Sequence, residues 1–122
     1  MNQQRTVYLV DDDPAVLRSL ASLLRANGYR PETFGSGLEF IEKYKPDASA
    51  CLVLDLSMPG MSGLDVRQWL LDRSDPLPTM FLTGQSDIAE QVRTRLEQPF
   101  GILDKPVAAS VLLKAIEEAL RR

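Results

Sequence analysis

Six side chains able to take part in phosphoryl chemistry sit at or just after apolar runs in this sequence. Asp11, Asp12 and Asp13 come directly after residues 6–10 (TVYLV), and Asp55 directly after residues 50–54 (ACLVL). Thr83 follows residues 79–82 (TMFL), and Lys105 comes shortly after residues 101–103 (GIL). Neighbouring carboxylates repel one another, and burial makes the repulsion worse, so such a cluster suits a bound cation. Oxygen ligands without histidine or cysteine suit Mg²⁺, or Mn²⁺, rather than zinc or copper. A carboxylate beside such an ion can act as a nucleophile and form an aspartyl phosphate. The phosphoryl oxygens then need counter-charge from metal, amine and hydroxyl. Asp55 as nucleophile, Asp12 with the metal, Lys105 as a point charge and Thr83 as a hydroxyl donor supply those parts.

Composition narrows the remaining chemistry. The 122 residues contain no histidine, which removes imidazole acid–base work and histidine-ligated metals. The single Cys51 excludes an internal disulfide and a thiolate metal cluster. Fourteen basic against seventeen acidic residues leave a net charge of −3, which disfavours sequence-independent binding to phosphate backbones. With 44% hydrophobic and 25% charged residues, the chain reads as one globular domain over residues 1–122. No apolar run is long enough to cross a bilayer, and the opening MNQQR is not a signal peptide, so a cytoplasmic location without membrane partners is expected.

The elements that must position these residues alternate strand and helix. Residues 6–10 read as a first strand and 30–34 as a weaker second one. The continuous apolar run 50–54 suits a strand buried on both faces of a parallel sheet. Residues 79–82 and 101–103 complete the set. Asp13-Pro14 reads as a cap with proline in the first turn, and Leu17, Leu20, Leu23 and Leu24 recur at helical spacing until Asn27-Gly28. Ser36-Gly37-Leu38-Glu39 and Ser62-Gly63-Leu64-Asp65 each place a capping serine three residues before an acid. Residues 87–97 read as a fourth helix through Ile88, Val92 and Leu96. Leu112, Ala115, Ile116 and Ala119 form the inner stripe of a fifth. Five such units imply a doubly wound α/β fold, whose ligands bind outside the carboxyl ends of the strands. That is the edge where the six residues fall.

Each residue also has an ordinary reading. The three aspartates could be a solvated cap, Asp55 or Thr83 a turn residue, and Lys105 a solvated amine beside Pro106. Their joint placement at strand ends favours the chemical reading. Met58, Met61, Met80 and Trp69 read as packing residues, and Arg93 and Arg95 as a solvated helix face or, alternatively, part of a partner surface.

Four segments resemble the receiver domain of bacterial two-component response regulators: VYLVDDDPAV (7–16), CLVLDLSMPGMSGLDV (51–66), FLTGQSD (81–87) and ILDKP (102–106). The TFGSG and LTG stretches resemble the nitrogen-fixation-regulator subgroup, whose full-length members carry a C-terminal LuxR-type helix-turn-helix. The resemblance implies a flavodoxin-like five-stranded parallel sheet, order 2-1-3-4-5, with five helices. It implies that Asp55 accepts the phosphoryl group from a sensor histidine kinase and later loses it to water. Mg²⁺ would be held by Asp12 and Asp55 directly, by Asp11 mainly through water, and by the backbone carbonyl of Ser57. Thr83 and Lys105 would contact the phosphoryl oxygens, and the Lys105–Pro106 peptide would be cis. Output would run through the face formed by the helix at 87–97, the fifth strand and the last helix, which could also form a homodimer. Nucleic acid would be bound only by an output domain beyond these residues, in transcription regulation.

Two features depart from the family pattern. Ile102 stands where the family carries its switch aromatic, three residues before the lysine. Gln98-Pro99-Phe100-Gly101 lacks the usual small pair before the last strand. Ile102 motivates a second reading, a phosphorylation-independent interaction module on the same fold. A flavin binder would need a hydroxyl- and glycine-rich loop where Asp11–Asp13 stand, and an aspartyl-phosphate phosphatase a second aspartate at Ser57. Both are disfavoured.

Overall fold

The computed structural model describes residues 4–84 and 101–121. Five strands form one parallel sheet: β1 (Arg5–Val10), β2 (Tyr29–Phe34), β3 (Cys51–Asp55), β4 (Thr79–Thr83) and β5 (Ile102–Asp104). Their order is β2-β1-β3-β4-β5, as the resemblance implied. Four helices lie among the described residues: α1 (Pro14–Ala26), α2 (Gly37–Lys43), α3 (Gly63–Asp72) and α4 (Ala109–Leu120). The helix expected at 87–97, with Arg93 and Arg95, and the stretch 98–100 lie outside the described residues. No helix among those described is long and apolar enough to cross a membrane.

The period of two along each strand divides the core into two layers. Val7 and Leu9 of β1, Cys51 and Val53 of β3, and Met80 and Leu82 of β4 pack against Leu20, Leu24, Leu112 and Ile116 of α1 and α4. Tyr8, Val10, Leu52, Leu54 and Phe81 point the other way, against Phe40, Val66 and Leu70 of α2 and α3. Every residue of β3 and β4 is buried, which explains why their sequences are continuous apolar runs rather than alternating ones. Trp69 reaches beyond its own helix, with its ring edge-on to Phe40 and Tyr44 and the Arg73 guanidinium 4.4 Å from its centroid. Burial pushes the Cys51 thiol up to about 12, leaving it inert as a nucleophile at neutral pH.

The helix starts follow their caps, with one difference. Ser62 accepts from the Asp65 amide while the Asp65 carboxylate accepts from the Ser62 amide at 2.9 Å, a reciprocal box. Ser36 accepts from Glu39, but the Glu39 carboxylate reaches one residue further back, to the Gly35 amide at 2.7 Å. Glutamate is one methylene longer than aspartate, which accounts for the longer reach. Gly28, at φ +87°, ends α1 in the left-handed conformation expected of it.

Gly63 has a role that its place in a cap does not reveal. Its amide donates to the Leu56 carbonyl at 3.0 Å, closing the loop after β3. A Cβ there would overlap the Asp55 carbonyl oxygen and lie 2.8 Å from the Leu56 Cα, both backbone and unable to rotate away. Gly63→Ala is therefore expected to destabilise the fold by about 1–3 kcal/mol, the usual scale of overpacking. A urea melt checks this, and unchanged stability would mean that the loop carrying Asp55 yields freely.

Candidate functional site

Three backbone hydrogen bonds carry the sheet ladder past the ends of its strands. The Asp11 amide donates to Phe34, the Leu56 amide to Leu82 and the Lys105 amide to Thr83, at 3.2, 2.9 and 2.8 Å. Positions 11, 55 and 105 are thus fixed as firmly as strand residues. Alternation then decides where their side chains go. Asp11 continues the parity of Val7 and Leu9, Asp55 that of Cys51 and Val53, and Lys105 that of Leu103, so all three turn toward the layer shared by α1 and α4. Thr83 and Ile102 share the opposite parity with Phe81, which pairs with Ile102 across β4 and β5.

The first three side chains meet. The Lys105 ammonium lies 2.9 Å from Asp11 Oδ2 and 3.3 Å from Asp55 Oδ2. Asp11 is 2% exposed and Asp55 3%, so the two carboxylates face each other almost without water. Burial first, then the Asp11 charge, pushes the Asp55 carboxyl up to about 6, against the opposing pull of Lys105. Burial alone would lower the Lys105 amine, but Asp11 and Asp55 outweigh it and hold the amine above its ordinary value. The remaining oxygens are partly engaged. Asp11 Oδ1 accepts from the Asp13 amide at 2.9 Å, and Asp55 Oδ1 from the Ser57 amide at 3.3 Å.

The other predicted residues surround this centre. Asp12 is exposed, and one carboxylate oxygen each from Asp11, Asp12 and Asp55 lie within 4.8 Å of one another. Asp13 takes the ordinary reading, capping α1 by accepting from the Ala15 amide at 2.9 Å. Ser57 is exposed at the start of the loop after β3. Thr83 is the last residue of β4 rather than the residue after it, and is fully buried. Ile102 is half-buried against the Phe81 layer. The Lys105–Pro106 peptide is cis, as expected. Gly63, which lets α3 approach Asp55, was not among the predicted site residues; the glycine straight after a capping serine was its only trace in the sequence.

The donor set fits a hard divalent cation. It is all oxygen, two members are buried, and Asp11 Oδ2 is buried with only its ionic contact to Lys105 and no aligned hydrogen bond. A buried anionic oxygen in that state is a natural ligand for Mg²⁺.

Comparison with known proteins places this arrangement. The family model described as the response regulator receiver domain matches residues 7–117. Response regulator protein TmoT of Ectopseudomonas mendocina is 38% identical over 98% of this chain and 54% of its own length. Nodulation protein W of Bradyrhizobium diazoefficiens is 38% identical over 95% of this chain and 51% of its own. The chain therefore spans about half the length of these relatives. Among solved structures, response regulator StyR superposes with a TM-score of 0.89 at 40% identity, over 98% of this chain and 60% of that one. The structure titled FixJ-N superposes at 0.88 and 31% identity, over 99% and 97%.

The raised Asp55 carboxyl predicts a pH signature in the metal-free protein. Its pKa is higher folded than unfolded, so its contribution favours folding below about pH 4 and is lost as pH rises through about 6. Asp55→Asn removes that loss. In EDTA at pH 8 the variant should be more stable than the wild type by about 2 kcal/mol, the gap closing as pH falls to 4. Chemical melts across that range check it, and a gap independent of pH would contradict the assignment.

Proposed function

The chain belongs to the response regulator receiver domain family, and on that footing we propose that it accepts a phosphoryl group on Asp55 and signals through the change. The observation that carries this reading is the Lys105 ammonium, 3.3 Å from Asp55 Oδ2 and 2.9 Å from Asp11 Oδ2 at one buried edge. The donor is a phosphohistidine of a sensor histidine kinase. An Asp55 carboxylate oxygen forms the new P–O bond as the P–N bond to the donor breaks, and the electron pair returns to the imidazole nitrogen. Asp55 is aimed by its place at the end of β3 and by the Ser57 amide on Oδ1. Lys105 supplies positive charge to the phosphoryl oxygens and Thr83 a hydroxyl donor. Asp11, Asp12, Asp55 and the Ser57 carbonyl would hold Mg²⁺, or Mn²⁺, which when bound neutralises charge as the phosphoryl group arrives. Attack of water on phosphorus later returns the carboxylate, so the protein is a self-phosphorylating acceptor rather than a turnover enzyme.

The switch begins at Thr83. It is buried at the end of β4, so drawing its hydroxyl toward a new phosphoryl group moves a strand end and not a loose loop. The surface of β5 and α4, which the family resemblance extends to residues 87–97 outside the described residues, is the proposed output and homodimer surface. Ile102 stands on it as a branched aliphatic side chain against the Phe81 layer, so the Thr83 half of the switch carries the signal. The relatives extend well beyond the matched segment, and the relative PgtA of Salmonella typhimurium is named a transcriptional regulatory protein. DNA contact is accordingly assigned to an output domain outside these residues, and the location to the cytoplasm.

Intact mass after incubation with a small phosphodonor tests the reading. One phosphoryl group should appear in Mg²⁺, and none in EDTA or in Asp55→Asn of unchanged circular dichroism. Full labelling of Asp55→Asn would show the site to be elsewhere. No labelling of the folded wild type would favour the phosphorylation-independent interaction module.

A further inference from the structure

β2 is an outer strand of the sheet, paired with β1 along one edge only. In a parallel ladder each residue turns its N–H and C=O to the same side, and successive residues alternate. The Asp11 amide donates to the Phe34 carbonyl at 3.2 Å, so Phe34 faces β1. By alternation Arg30 and Glu32 face β1 too, while Tyr29, Pro31, Thr33 and Gly35 turn their backbone groups outward. The outward Gly35 amide is already engaged, donating to the Glu39 carboxylate at 2.7 Å. Tyr29 and Thr33 present both a donor and an acceptor to the open edge. Pro31, between them, presents a carbonyl and no donor.

An outer edge of this kind is a template for a further strand. The strand that matches it is its own copy. Paired antiparallel about a two-fold axis at residue 31, Tyr29 of one copy stands opposite Thr33 of the other, and Arg30 opposite Glu32. Opposite charges facing each other across a ladder stabilise it. Each outward residue would exchange both of its hydrogen bonds with the residue opposite. At the axis residue 31 meets residue 31, and proline can give neither bond. A second obstacle lies on the α1 side. Arg18, Ser22 and Arg25 border the edge beside Thr33, around a shallow cavity of about 290 Å³, and α1 carries no acidic residue. A second copy seated on the edge brings its own Arg18 and Arg25 to that rim, like charge toward like charge.

We propose that the β2 edge is a self-complementary surface for a second copy of this chain, held shut by Pro31, with Arg18 and Arg25 as a further barrier. Opened, it would join two copies into one continuous sheet and hold them together whatever the state of Asp55. Closed, it leaves association between copies to other surfaces of the domain. The inference concerns the outer strand farthest from β5 and stands independently of the phosphoryl chemistry.

Sedimentation velocity of the unphosphorylated chain in EDTA tests this, comparing the wild type with Pro31→Val and Pro31→Thr, both good strand formers. High salt screens the arginines. Under that condition the variants should self-associate at least about tenfold more tightly than the wild type, and the gain should shrink in low salt. Hydrogen exchange read residue by residue locates the contact. The amides of Thr33 and of the new residue 31 should become protected as the variant's concentration rises. Variants as monomeric as the wild type, or associating with the Thr33 amide still open, would overturn the proposal. A gain unaffected by salt would remove the arginines from it. The unaltered protein supplies a reading that no misfolded variant can spoil. Its Tyr29 and Thr33 amides should exchange fast and those of Arg30, Glu32 and Phe34 slowly, at every concentration. Thr33 protection that grows with wild-type concentration would show the edge open despite Pro31.

Discussion

Asp11 and Asp55 are both nearly sealed from water, and the Lys105 ammonium in contact with both offsets the repulsion between their charges. Much of the architecture serves to keep that group together. β1 and β3 are adjacent central strands, so their ends bring the carboxylates to one place. β5 lies two strands away from β3, and only a long side chain turned to the same layer can span the gap. Lysine has the length, and the amide bond to Thr83 fixes its starting point. Even the raised Asp55 carboxyl follows from this geometry, since burial and Asp11 together exceed what one partly exposed amine can offset.

The protein divides its labour between the layers of the sheet. The buried ion-pair cluster sits at the ends of β1, β3 and β5, on the side of α1 and α4. The other side is dominated by aromatic packing, with Tyr8, Phe34, Phe40, Tyr44 and Trp69 in a run of ring contacts. The Tyr44 hydroxyl donates to Asp75 at 2.7 Å, which ties the end of α2 to the loop before β4. Thr83 and Ile102 belong to this second layer. Asp55 and these two residues therefore stand on opposite sides of one sheet, at neighbouring strand ends.

Much of this was legible in the amino-acid order because the signals are local. Continuous apolar runs marked β3 and β4, capping serines marked α2 and α3, and the polar residues closing each run marked the edge. Strand ends shifted by about a residue where a polar side chain joins the ladder. Asp104 is the clearest case, paired with Thr83 one residue beyond the expected strand 101–103. What stayed hidden depends on distant segments meeting. Gly63 looks like one more helix-start residue until the Asp55 carbonyl is seen beside it. Lys105 reads as a group awaiting phosphoryl oxygens, and its pairing with both carboxylates appears only when β1, β3 and β5 are side by side. Asp13 resembles its neighbours in type and differs only in being spent on a cap.

The period-two alternation of the strands also bears on heredity. Asp11, Asp55 and Lys105 stand at or just beyond the ends of strands whose registers are locked by their neighbours. A single codon gained or lost inside β1, β3 or β5 would turn the reactive side chain into the wrong layer while leaving the composition almost untouched. The same event in the loop joining α2 to β3, at the far end of the sheet, would leave the parity of every strand as it is. Descendants of this gene should therefore vary in length at one end of the barrel-less sheet and keep strict spacing at the other. The reading frame of the site is a matter of parity as much as of residue identity.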